Sequence, residues 1–402
     1  MTTGNVRTGL DRFVQDGFSA LKGKRVALLA NPVAVDSQLV HLLDRCLENE
    51  VELVRLFGPE HGLLGDAQDM ADVDGHRDRK TGLDVKSLYG TQKDSLFLQT
   101  KDLDDVDVLL CDLQDIGSRY YTFSYTIAFA MRAAQQARTK VVVLDRPNPI
   151  GGDLVEGNLV KREFSSFVGE YPLPNRHGMT LGELCYFFKA HDELHDLDLD
   201  VIKMENYQRG MHFSETGLPW VMPSPNMPTP DTALVYPGGC LFEGTNLSEG
   251  RGTTRPFELI GAPYIDDPDA FCQRAREQGV CQGIALRPCY FRPTFQKHAN
   301  ELCGGLQLHI TSPHDVDAMK TAVAILNAAR SFAGFAWRSE RYEFVSDRLA
   351  IDLLFGDDQP RQQLEEGATT AEVLGYLDRD RDAALAQRAS HLFSSYDDKS
   401  EI

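Results

Sequence analysis

VDVLLCD, residues 106–112, is almost continuously apolar, too short for a helix, and ends on an acid. A strand that is apolar on both alternate faces belongs in a sheet covered on both sides, the usual setting of a parallel sheet. RVALLA (25–30), VELVRLF (51–57), KVVVLD (140–145) and LDVIKM (199–204) read the same way. Between them LDRFVQDGFSALKG and YTIAFAMRAAQQAR carry helical periodicity, and TLGELCYFFKAH opens with Thr180 and Glu183 in capping-box spacing. This alternation predicts an open, doubly wound, mostly parallel α/β sheet over about residues 1–230.

Residues 217–263 change character and are rich in Pro, Gly, Asn and Thr, as expected of an ordered crossing between domains. Helices are predicted at about 267–278 and 314–332, with strands at GIALRPCYF, GLQLHI and YEFV. Residues 231–402 are therefore expected to form a smaller α+β domain, with a frayed tail after Lys399. The long charged insertion from Gly58 to Lys93 reads as an ordered loop over a site.

With 41 basic and 60 acidic side chains the formal charge is −19, which repels nucleic acid and anionic membrane surfaces. No run approaches the roughly 18 apolar residues of a membrane span. The start, MTTGNVRTGLDRFVQDGF, has no basic segment followed by an apolar one, so a cytoplasmic location is expected. The eight cysteines include no C-x-x-C pair and read as free thiols.

In such a sheet, ligands bind beyond the carboxyl ends of the strands. The first strand is followed by Asn31 and the second by PEHG with Glu60 and His61. The third is followed by Gln114, Asp115, Arg119 and Tyr120 after its own Asp112, and the fourth by Asp145, Arg146 and Asn148. Polar and ionisable groups thus converge on one rim. Asp112 and Asp145 read equally as turn caps, Arg146 as a partner of an aspartate, and His61 as a hydrogen-bonded structural histidine. Glu60 is harder to assign to the turn, because glutamate has no turn preference and Pro59 already sets the backbone. A further block, FEGTNLSEGRGTTRPFE (242–258), offers Asn246, Arg251 and backbone amides to an anion or to sugar hydroxyls.

The first turn, NPVAVDSQ, has no glycine, which argues against a dinucleotide cofactor. A metal-dependent hydrolase using Glu60, His61, Asp112 and Asp115 is an alternative, although no H-x-x-x-H or H-E-x-x-H spacing occurs. No metal and no cofactor is expected.

LFGPEHGLLGDAQD, DLQDIGSRYYTF, LDRPNPIGG, PWVMPSPNMPT, YPGGCLFEGTNLSEGRGTTRPFELIGAP and FRPTFQKHANELCGGLQLH resemble, in order, the signature blocks of the NamZ-type exo-β-N-acetylmuramidases. The resemblance runs from about residue 8 to 355. It implies a Rossmann-like catalytic domain, a smaller domain closing the cleft, and removal of terminal N-acetylmuramic acid from the non-reducing end of peptidoglycan fragments. It also admits a periplasmic or secreted location. The catalytic acid of the family falls on Glu60. Glycoside cleavage further needs a group that stabilises the oxocarbenium-like centre, for which Asp115 and Glu249 are the candidates, or the substrate's own acetamide. The lactyl carboxylate of the sugar calls for an arginine, with Arg146, Arg251 and Arg119 the candidates in that order. A non-catalytic muropeptide- or sugar-binding protein is the rival reading.

Overall fold

The computed structural model describes residues 5–63, 76–90 and 92–397. Seven strands form the main sheet: β1 (Arg25–Ala30), β2 (Glu52–Gly58), β3 (His76–Arg77), β4 (Asp84–Ser87), β5 (Val108–Asp112), β6 (Lys140–Leu144) and β7 (Leu199–Ile202). Their order is β3-β4-β2-β1-β5-β6-β7, and every pairing is parallel except the edge strand β3 on β4. All five apolar runs named above form strands of this sheet.

The continuous apolarity has the expected cause. Val26, Leu28 and Ala30 of β1 pack on one face against Leu10 and Phe13 of α1 (Gly9–Gln15) and Leu42, Leu43 and Cys46 of α2 (Leu42–Glu48). Ala27 and Leu29 face the other way, into a core built with α3 (Phe123–Ala137) and α4 (Leu181–His191). The α4 capping box is present: Glu183 N donates to Thr180 Oγ1, and Thr180 N to Glu183 Oε2. The first helix is shorter than expected. It ends at Gln15 because Gly17 and Phe18 both take left-handed conformations, and a single 3₁₀ turn follows.

The second part holds α5 (Pro230–Gly239), β8 (Leu259–Ala262), α6 (Pro268–Glu277), β9 (Ile284–Phe291), β10 (Cys303–Ile310) and α7 (Ala318–Ala329). The chain then runs through α8 (Ala350–Phe355), α9 (Gln359–Glu366), α10 (Thr370–Leu377) and α11 (Arg381–Ala389). The three strands make an antiparallel sheet in the order β8-β10-β9.

Several expectations are corrected. Residues 217–263 are not simply a connection, since they contain α5 and β8. α7 begins at Ala318 with Asp317 as its cap, and the Ser-Pro before it forms a separate 3₁₀ turn. YEFV is a tight turn instead of a strand: Tyr342 and Val345 exchange both backbone hydrogen bonds, and Glu343 has φ 45°. Part of the 58–93 insertion extends the sheet as β3 and β4, whereas residues 64–75 and 91 lie outside the described residues, as does the tail after Lys399. All eight cysteines are free. No helix among the described residues is long and apolar enough to cross a membrane.

The two parts are bolted together by buried polar groups. Arg119, fully buried after β5, donates Nη1 to the carbonyls of Asn158 (2.6 Å) and Leu173 (2.9 Å), and Nη2 to Leu354 O (2.7 Å) at the end of α8. The C-terminal segment crosses back to the first domain, where Arg388 donates to Gly152 O and Gly178 O. Arg119→Leu would strand the buried carbonyls of Asn158 and Leu173 at about 1–3 kcal/mol each, whereas Leu354 O keeps Asn175 Nδ2 at 3.3 Å. A stability loss of at least about 2 kcal/mol is expected from urea unfolding, and a loss under about 1 kcal/mol would show that the carbonyls find other donors.

Candidate active site

β2 ends at Gly58, and the chain turns at once: Gly62 N donates to Pro59 O (2.9 Å), which makes Glu60 and His61 the two central residues of a β-turn. The second central residue, His61, has φ 69°, a left-handed conformation that glycine adopts freely and a histidine adopts at a cost. Gly58 is needed for the same turn, because a Cβ there would run into the backbone of Gly62 and Leu63.

Both Glu60 and His61 are buried and line a pocket of about 530 Å³. Tyr120 to Phe123, at the entry to α3, form one side of it, and Ser224 to Met227 contribute to another. Tyr236, Glu243, Arg251, Tyr342 and Glu343 come from the second part of the chain. Thr122 Oγ1 donates to Glu60 Oε2 at 2.7 Å. Thr122 occupies the N-cap position of α3, yet its side chain makes no capping hydrogen bond. A threonine at that position ordinarily satisfies the free amides of its own helix. Here its hydroxyl orients the carboxylate instead.

Burial pushes the hydroxyls of Tyr120, Tyr121, Tyr236 and Tyr342 up, so all four are neutral donors at ordinary pH. Glu243 accepts from Arg251 Nη1 (2.7 Å) and from the Tyr342 hydroxyl (2.7 Å). Arg251 also stacks its guanidinium over Phe257 and bonds Glu249 at 3.1 Å.

Of the residues expected at the site, Glu60, His61, Tyr120 and Arg251 line this pocket, and the others do not. Asp115 accepts from Gly117 N and faces His177 Nε2 at 3.2 Å, buried away from the pocket. Glu249 sits behind Arg251. Burial raises its pKa, but Lys297 and Arg251 outweigh that and hold it lowered as a pinned carboxylate. Asp112 and Arg146 hold each other in a bidentate pair, at 2.5 and 2.8 Å. Asp145 binds Thr180, Gly182 and Tyr396, and burial pushes it up to about 7. Asn31 accepts from Val33 N, Asn148 bridges Ile150 N and Met179 O, and Gln114 donates to the carbonyls of Asp115 and Pro147. Asn246 ties Tyr264, Gly334 and Ala336 together. These groups are held by protein partners because the rim is roofed over. Arg119 likewise spends its donors on carbonyls, and so neither it nor Arg146 meets a sugar in this pocket.

The quartet Glu60, His61, Asp112 and Asp115 does not converge, and no group of three potential metal-binding side chains occurs among the described residues. Sequence reasoning missed Glu243, Glu343, Tyr342 and Thr122. Glu243 lies in the same quoted block as Glu249, and nothing local ranks one above the other. Tyr342 and Glu343 lie in YEFV, whose residue types suit a strand.

The description "Exo-beta-N-acetylmuramidase NamZ, N-terminal" matches residues 26–231, and its C-terminal counterpart matches residues 234–393. The peptidoglycan β-N-acetylmuramidase NamZ of Bacillus subtilis is 42% identical over 375 residues, covering 93% of this chain and 88% of that protein. The chain belongs to the NamZ family of exo-β-N-acetylmuramidases. Its fold agrees with two crystal structures of DUF1343 family proteins from Bacteroides fragilis. One has a TM-score of 0.85 at 30% identity over 97% of this chain and 99% of that one. The other has a TM-score of 0.75 at 28% identity over 98% and 100%.

Two variants of this NamZ-family chain test the geometry around Glu60. Thr122→Val removes the hydroxyl without a lost cap, so unfolding free energy should change by less than about 1 kcal/mol. Hydrolysis of an N-acetylmuramide should nevertheless fall at least about tenfold, the scale of one well-placed hydrogen bond. Full activity would remove Thr122 from the site. His61→Gly supplies the residue the turn prefers, so the melting temperature should hold or rise while KM rises. An unchanged KM would mean that the imidazole does not meet substrate.

Proposed function

We propose that the Glu60 pocket is the active site of a glycosidase releasing terminal N-acetylmuramic acid from peptidoglycan fragments. Membership of the family makes the protein an exo-β-N-acetylmuramidase. The assignment of residues rests on one observation. Glu60 projects from a strained turn into an enclosed pocket, one oxygen is taken by Thr122, and Oε1 has no protein partner among the described residues.

A carboxyl group so placed can protonate a leaving glycosidic oxygen, and the water-poor surroundings strengthen every polar contact to the departing sugar. Glu243 and Glu343 replace Asp115 and Glu249 as the carboxylates that share the pocket with Glu60 and can face the developing positive charge. Tyr342 spends its proton on Glu243, and the protonated Tyr120, Tyr121 and Tyr236 can supply donors to ring hydroxyls or to the substrate acetamide. Among the arginines expected to meet the lactyl carboxylate, only Arg251 lines the pocket, and there the anion competes with Glu243 and Glu249 for its charge.

Glu60→Gln keeps the shape and removes the transferable proton. Turnover of a natural disaccharide is expected to fall by about 10²–10⁴. An N-acetylmuramide with an activated phenolic leaving group should suffer much less, because it needs little protonation. Steady-state assays on both substrates decide the matter. A variant that loses equal activity on both is not missing its acid.

A further inference from the structure

A lysine ordinarily keeps its ammonium in water, yet the side chain of Lys297 is only 20% exposed. Its three N–H donors go to Phe242 O (2.9 Å), Leu247 O (3.0 Å) and Glu249 Oε2 (2.9 Å). Lys297 lies in the link from β9 to β10, RPTFQKHANEL (292–302), which gives no residue to the lining of the Glu60 pocket.

The backbone of this link is bent around that lysine. Gln296 and His298, on either side of it, have φ 62° and 57°, left-handed conformations that residues other than glycine adopt at a cost. Thr294 donates both N and Oγ1 to Gly252 O, at 2.9 and 2.8 Å, and His298 Nε2 lies 2.7 Å from Asn246 O. The link is thus fastened along residues 242–252, the segment that carries Glu243, Glu249 and Arg251. Strain held in place by such anchoring points to a purpose beyond closing a hairpin.

The charges suggest which purpose. Glu249 gives one oxygen to each of two cations, Oε2 to Lys297 and Oε1 to Arg251 at 3.1 Å. Burial raises the pKa of Glu249, and Lys297, more than Arg251, brings it down. Arg251 also gives Nη1 to Glu243 at 2.7 Å. One arginine against two carboxylates would leave this wall of the pocket net negative and hostile to an anionic substrate. Lys297 brings the four groups to neutrality. Arg251 lines the pocket, whereas Glu249 and Lys297 stand behind it. We infer that Lys297 is a positioning residue that sets substrate specificity at one remove: by engaging Glu249 it leaves the charge of Arg251 to a carboxylate on the sugar. The inference rests on the reading of Arg251 as the partner of the lactyl carboxylate.

A chromogenic N-acetylmuramide and its lactyl primary amide differ by one charge and hardly in shape. The wild type should favour the acid. In Lys297→Met that preference, as a ratio of kcat/KM, should fall at least about tenfold, the scale of one unbalanced charge close to another inside a protein. The loss should sit in KM for the acid. Adding Glu249→Gln to Lys297→Met should restore the preference, because both charges of the pair are then gone. A merely structural lysine predicts instead that both substrates suffer together and that the second substitution does not help. If Lys297→Met does not fold by circular dichroism, Lys297→Gln, which keeps donors for the two carbonyls, takes its place. An unchanged preference in the folded single variant, an equal fall on both substrates, or no recovery in the double variant would each overturn the role of Lys297 and leave the muramidase reading standing. A wild type without preference for the acid would overturn the lactyl reading of Arg251 and the role of Lys297 with it. A wild type that releases no chromophore would overturn the muramidase reading, and calorimetric binding of N-acetylmuramic acid against its amide, in the same variants, then decides on Lys297.

Discussion

Two parallel strands cannot be joined by a tight turn; the chain must cross back to the edge from which it started. In β1, β2, β5 and β6 this requirement sends every carboxyl end to one rim, whatever the loops contain. The loops after these strands therefore meet, and the second part of the chain packs over them. Each polar group placed there loses water and must find a partner in the protein or in a ligand.

Most find one in the protein. Breaking a buried pair such as Asp112–Arg146 costs about 3–5 kcal/mol, a large share of the roughly 5–15 kcal/mol that holds a domain together. Asp145, Asn148 and Arg119 are committed in the same way to helix starts, turns and carbonyls of distant segments. Their chemistry looks functional in isolation and is structural in place. The Glu60 pocket lies where that logic is broken. A histidine takes a glycine's conformation, and a threonine at a helix cap turns its hydroxyl to a glutamate. A missing cap costs about 0.5–2 kcal/mol and a left-handed non-glycine about 1–3 kcal/mol. Local rules given up at one place, with no gain in stability there, mark a site shaped for another purpose.

The parallel sheet was legible from the apolar runs because burial on both faces leaves a mark on every residue of a strand. Glu60 was legible because nothing in a turn calls for a glutamate. The family was legible from ordered blocks of residues along nearly the whole chain. The turn at Tyr342 was not, since two aromatics and a valine fit a strand as well, and only packing places Glu343 at positive φ. Choosing between Glu243 and Glu249 was equally out of reach. They lie close together in one polar loop, and Lys297, far along the chain, is what pins Glu249.

Sequence by itself determined the layers of the first domain and the edge at which polar and ionisable groups gather, because these depend on periodicity and on local turn geometry. Tertiary structure alone decided which members of the rim are satisfied and which face a cavity. A hydrogen-bond partner brought from a distant part of the chain leaves no trace in the local pattern, and that partner separates a structural arginine from one that can touch a sugar.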